Sequence, residues 1–179
     1  MSTPLHAVPL PSVVGRRSAG ASVVLAGLAV GVIDGLFALA SVVALYGAPP
    51  VRAFQAITAL FVGRGAAFAG GATTTAAGVA VHFGVALGWA AAYLLACQRS
   101  PGLRRLTAGR GGAILVGAAY GALVWACMQF AVIPLARGVI PIDHGPVPPF
   151  RLDAALVGLL GHMVVVGQPI VHVIRAPED

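Results

Sequence analysis

The chain has 179 residues, of which 59% are hydrophobic and only 9% charged, and its formal net charge is +6. Soluble domains carry about 25% charged residues, so this composition excludes a soluble globular protein and requires an apolar surface that faces lipid. Every basic residue is an arginine and most sit at the ends of apolar runs, where topology and anionic headgroups account for them; no reading motif or basic helix face supports a nucleic-acid partner.

Residues 1–18, "MSTPLHAVPLPSVVGRRS", are proline-rich without apolar periodicity and read as a disordered cytoplasmic tail ending in Arg16 and Arg17. A hydrocarbon core takes about 20 helical residues to cross. The first run of that length covers about 20–46 and carries Gly27, Gly31 and Gly35 in a GxxxGxxxG spacing. Its length and its internal Asp34 distinguish it from the short apolar region of a cleaved signal peptide. The next stretch, about 51–63, is too short to span and predicts an interfacial or re-entrant helix, with Phe54, Ile57 and Phe61 on one buried face.

The second span, about 72–97, contains Gly78, His82, Gly84 and Gly88. A third, about 112–134, carries Gly117, Gly121 and Gln129 and is closed by Pro134. The loop that follows holds Asp143 and His144 among prolines and predicts a stiffened, hydrogen-bonded turn rather than a metal site. A fourth span, about 153–174, contains Gly158 and His162, with a kink expected at Pro169. Residues 176–179 form a C-terminal tail, and 19–175 is expected to be one transmembrane domain.

The fold class is therefore all-α: a polytopic membrane four-helix bundle with a short interfacial or re-entrant helix after the first span. Small residues at four-residue spacing let membrane helices approach closely, which assigns a packing role to Gly27, Gly31, Gly35, Gly78, Gly84, Gly88, Gly117, Gly121 and Gly158. Cys97 and Cys127 fall near opposite ends of their spans and are expected to be free thiols. Arg16, Arg17, Arg99, Arg104, Arg105, Arg110 and Arg175 share one side, against Arg52, Arg64, Arg137 and Arg151 on the other. The positive-inside rule then puts both termini in the cytoplasm. Abundant Ala, Gly, Val and Arg without lysine suggest a GC-rich genome and the cytoplasmic membrane of a bacterium.

The most informative feature is one level in the membrane. Asp34 is 12 residues from Tyr46, His82 is 10 from Ala72, and His162 is 9 from Asp153. At 1.5 Å per residue, these fall within roughly 5 Å of one depth, with Gln129 shallower. Asp34, His82 and His162 also lie on the small-residue faces of their helices. A lone aspartate charge at this depth needs a partner or takes up a proton to become neutral. Three readings follow. The group forms a buried polar core that fixes helix register, it relays a proton, or it binds a metal ion or a b-type haem. No HExxH, phosphate loop, nucleophile elbow or Ser–His–Asp ordering points to an enzyme.

The leading functional expectation is a non-catalytic membrane subunit or assembly protein with a buried Asp/His core. The alternative is a small transport or binding module using Asp34, His82 and His162 for a proton, metal or haem. The partners expected are the lipid bilayer and either a second copy of the chain or another membrane subunit.

"VIDGLFALASVVALYGAPPVRAFQAITALFVGRGAAFAGG", "GVAVHF", "MQFAVIPLA" and "GHMVVVGQPI" together resemble an uncharacterised group of small bacterial four-span membrane proteins. The resemblance covers nearly everything after residue 20. It singles out Asp34, Gly70, Gly71, His82, Pro134, Leu135, His162 and Pro169, and departs from the group's pattern at Gln129 and Ala136. It implies fold and location, and no activity.

Overall fold

The computed structural model describes residues 18–175; the expected tail segments 1–17, with Arg16 and Arg17, and 176–179 lie outside the described residues. Helix α1 (Ala19–Tyr46) begins at Ser18, whose Oγ accepts the Ala21 N–H at 3.2 Å. It ends at Gly47, where φ is 59° and the N–H turns back to the Val43 carbonyl at 3.0 Å. That left-handed residue explains why "LY" is followed by glycine.

Helices α2 (Arg52–Val62) and α3 (Arg64–Ala69) meet at Gly63, which has a φ of 82°. Next come α4 (Gly71–Arg99) and α5 (Pro101–Ala108). The third span is α6 (Arg110–Cys127), a π-helical turn Met128–Val132, and α7 (Ile133–Val139). The fourth is α8 (Leu152–Gly161), a π-helical turn His162–Gly167, and α9 (Gln168–Ile174). The fold is all-α, with 4 helices long and apolar enough to cross a membrane: Ala19–Tyr46, Gly71–Arg99, Arg110–Val139 and Leu152–Ile174. The short helix expected after the first span is α2.

Pro134 does not close the third span. A proline has no N–H and its ring clashes with the carbonyl four residues back. The preceding turn widens instead, the Ile133 N–H reaching five residues back to Met128, and the helix continues to Val139. The π-turn before Pro169 has the same position relative to its proline, so both interruptions belong to one device.

Helix α5 has no apolar signature long enough to have been expected. Its start combines a Ser100 N-cap, accepting from Leu103 N at 3.1 Å, with Pro101 in the first turn. Arg104 of α5 then donates to the Cys97 carbonyl at 2.6 Å, satisfying the end of α4.

The bundle is small inside and large outside. Ala26, Val30, Ala86, Ala90 and Ala113 are buried, whereas Leu36, Leu115, Leu160 and Val164 are at least 59% exposed. Water would make that arrangement costly and lipid makes it ordinary, because helices in a bilayer associate by close packing rather than by burial of large apolar groups.

Helix α1 lies against α4 and the fourth span, and the third span packs along the second π-turn. The glycines show how close these approaches are. A Cβ on Gly27 would lie 2.9 Å from the Leu87 Cα, and one on Gly31 would strike the Phe83 ring. A Cβ on Gly121 would collide with the His162 carbonyl, one on Gly78 with the Phe54 carbonyl, and one on Gly158 would sit 2.8 Å from Trp125 Nε1. Gly117 is covered by the Gln168 side chain, and Gly35 faces Phe54 and His82 at 3.4–3.5 Å. Gly84 and Gly88, in contrast, are exposed on α4 and have nothing within 4 Å.

Candidate functional site

Helix α2 buries Phe54, Gln55 and Thr58, while Ile57 is half-buried and Phe61 is 49% exposed. This corrects the apolar face expected at Phe54, Ile57 and Phe61. The reason is hydrogen bonding. Thr58 Oγ1 donates to the Thr74 carbonyl at 2.6 Å, and Gln55 Nε2 donates to the Gly71 carbonyl at 3.2 Å. Gln55 Oε1 accepts from Arg52 at 3.1 Å, and the same guanidinium stacks 4.3 Å over Phe68. α2 is thus clamped onto the first turns of α4, and Phe54 reaches inward to meet the His82 ring edge-on at 5.5 Å.

Beneath α2 lies a cavity of about 370 Å³. Asp34, His82, Gln129 and His162 all line it. Asp34 is followed on α1 by Phe37, Ala38, Ser41 and Leu45, at i+3, i+4, i+7 and i+11, so one helix face supplies that wall. Trp89 of α4 and Met128 of the third span add apolar surface, and Ala53, Ala56 and Ile57 of α2 close the end.

The π-turns serve this cavity. Met128 and Gln129 belong to the first, and His162 and Val166 belong to the second. A wider turn rotates side chains out of the regular helical sequence of directions and is a recurrent feature of functional sites.

The expected buried polar core is corrected. Asp34 and His82 retain 15% and 11% side-chain exposure, His162 is partly exposed and Gln129 is exposed. These residues wall a cavity rather than fill a core. The Asp34 carboxylate lies 4.0 Å from His82 Nε2, too far for a hydrogen bond, and forms none among the described residues. The buried polar side chains are instead Gln55, Thr58 and Thr107. Thr107 belongs to α5, where the buried Tyr93 hydroxyl sits beside its Oγ1 and the Cys97 sulfur without a hydrogen bond of regular geometry.

Both histidines of the cavity have a defined tautomer when neutral. His82 Nε2 faces the Gly31 carbonyl at 3.1 Å, and His162 Nδ1 faces the Gly158 carbonyl at 2.9 Å. A carbonyl only accepts, so these nitrogens carry the hydrogens and the other nitrogen of each ring is an acceptor. No group of three or more His, Cys, Asp or Glu able to hold a metal ion exists among the described residues, so Asp34, His82 and His162 are not assembled as a ligand set.

Outside the cavity, Asp143 forms the turn expected of its loop: its Oδ1 accepts the Gly145 N–H at 2.7 Å, and Arg137 donates to the Gly145 carbonyl at 2.9 Å. Beside the lining residues Leu45 and Tyr46, Arg151 pairs with Asp153 through Nε at 3.1 Å, lies 4.9 Å over the Tyr46 ring, and donates to the Leu45 carbonyl. The Asp153 hydrogen bond raises the Arg151 pKa above its ordinary value. His172 is exposed, with Nδ1 donating to the Gln168 carbonyl at 2.9 Å. Cys97 and Cys127 are free.

Together these features define a multi-pass membrane protein with four candidate spans whose apolar outer surface contacts a lipid bilayer. No family model, curated protein or solved structure matches the chain, and no family is identified for it.

Proposed function

We propose that this protein is a membrane binding or transport module that takes a small ligand into the cavity beneath α2. The observation that carries the reading is that Asp34, His82, Gln129 and His162, from all four spans, border one space, and that no hydrogen bond joins any two of their side chains. Polar groups whose purpose is helix register satisfy one another across an interface. Here Asp34 leaves its hydrogen-bonding capacity unused, next to apolar walls of a size suited to a small molecule. The arginine distribution supports cytoplasmic termini, with the α2 end of the bundle on the outer face of a bacterial cytoplasmic membrane.

A second reading, an interaction subunit of a larger assembly, has its own support in Gly84 and Gly88. Both are exposed on α4, and a Cβ at either would have nothing within 4 Å among the described residues.

The experiment that separates the readings is mass spectrometry of the purified protein beside an Ala38→Trp variant, which fills the cavity from α1. Binding predicts that a small molecule is released on denaturing the wild type and is absent from the variant. The same molecules in both preparations contradict it.

A further inference from the structure

We propose that the ligand is a small organic cation, a primary ammonium group on a compact apolar body, with the ammonium on Asp34 and the body against Phe37, Trp89 and Met128. This rests on the binding reading above and names its ligand class. Asp34 is the only acidic residue lining the cavity, and no arginine lines it. Its nearest titratable neighbour is His82 Nε2 at 4.0 Å, whose hydrogen is committed to the Gly31 carbonyl. The carboxylate is therefore an acceptor without a donor at a depth where an unpaired charge is costly.

The surrounding groups extend the same chemistry. Nε2 of His82 and Nδ1 of His162 are used on carbonyls, which leaves the second ring nitrogen of each for a ligand. Gln129 and Ser41 add oxygen acceptors. A primary ammonium brings three donors and a positive charge that can close on the Asp34 carboxylate, which His82 Nε2 leaves at 4.0 Å. Phe37 and Trp89 bring aromatic rings to the lining of the same space, and aromatic rings attract cations.

Other ligand classes fit less well. A carboxylate or phosphate would meet Asp34 as a like charge. An uncharged hydrocarbon would leave Asp34 unpaired, and a bare metal ion would find no third ligand. The cation nearest the lining residues Leu45 and Tyr46, Arg151, is paired with Asp153 and so offers no free charge to repel an ammonium.

The test is calorimetric titration of the full chain in detergent at neutral pH with three probes of similar size: 2-phenylethylamine, 3-phenylpropan-1-ol and 3-phenylpropionate. The amine is expected to bind most tightly. Asp34→Asn, checked for an unchanged melting temperature, should weaken the amine roughly tenfold to a hundredfold, the range for a charge-assisted hydrogen bond, and leave the alcohol as it was. Ala38→Trp should abolish binding of both. Equal affinities for all three probes, unmoved by Asp34→Asn but lost in Ala38→Trp, would overturn the cation and keep the binding function. Preference for the carboxylate would likewise overturn it. If none of the three binds the wild type, the binding function fails and the cation with it.

Discussion

At the residue scale, the glycines separate into those that touch another helix and those that do not, although all share one sequence spacing. Gly121 sits under the His162 carbonyl and Gly84 faces open space. Gly121→Val should therefore destabilise the bundle by about 1–3 kcal/mol, the usual cost of forcing extra methyl groups into a packed contact. Gly84→Val should leave the melting temperature within a degree or two. Thermal unfolding of the two variants side by side in one detergent checks this, and equal shifts would contradict the packing described here. Counting residues along each run also brought Asp34, His82 and His162 to one level, and these residues do border one cavity. Their burial was not legible. Periodicity identifies the face a residue occupies, but not whether the facing helix closes on it, and α4 and α6 meet mainly through aromatic side chains, with the Tyr120 hydroxyl on the Trp89 carbonyl at 2.7 Å.

At the element scale, the long helices follow from hydropathy and length, and the exceptions have identifiable causes. Helix α2 was placed correctly but its buried face was not, because the face is set by hydrogen bonds rather than by apolar spacing. Gln55 and Thr58 bind carbonyls in the first turns of α4, where the Gly70–Gly71 link leaves the backbone accessible. Thr58→Val keeps the shape and removes one bond worth about 1 kcal/mol. Amide exchange within 52–62 should then quicken about fivefold while the centre of α4 stays protected. Unchanged exchange would mean that the Thr58 hydrogen bond does not help to hold α2 on α4. The prolines are the signal for both π-turns: the sequence leads one to expect a kink at Pro169 but a helix end at Pro134. Each precedes a proline inside an apolar run too long to end there, and in lipid the carbonyl a proline frees must find another partner or be displaced. Helix α5 was missed because its start lies in capping chemistry, Ser100 followed by Pro101, rather than in hydrophobicity.

At the scale of the whole molecule, composition alone set the class. A chain 59% hydrophobic and 9% charged has too little polar surface for water, and among the described residues no leucine is buried while Ala26, Ala90, Ala113, Gly27 and Gly31 are. Function was less legible, because a cavity is a property of how four helices diverge and no single run encodes it. The central claim is that Asp34 lies on the wall of an accessible, cation-accepting cavity, and Ser41 lies on the same wall two turns nearer Tyr46. The most direct measurement is the modification rate of Ser41→Cys, in a background lacking Cys97 and Cys127, by a trimethylammonium methanethiosulfonate added from the outer side. Rapid modification is predicted, slowed at least about tenfold by Ala38→Trp, with Val32→Cys on the lipid-facing side of α1 unreactive because a thiol in hydrocarbon does not ionise. Equal reactivity at 41 and 32, or a rate at 41 that ignores Ala38→Trp, would contradict the account.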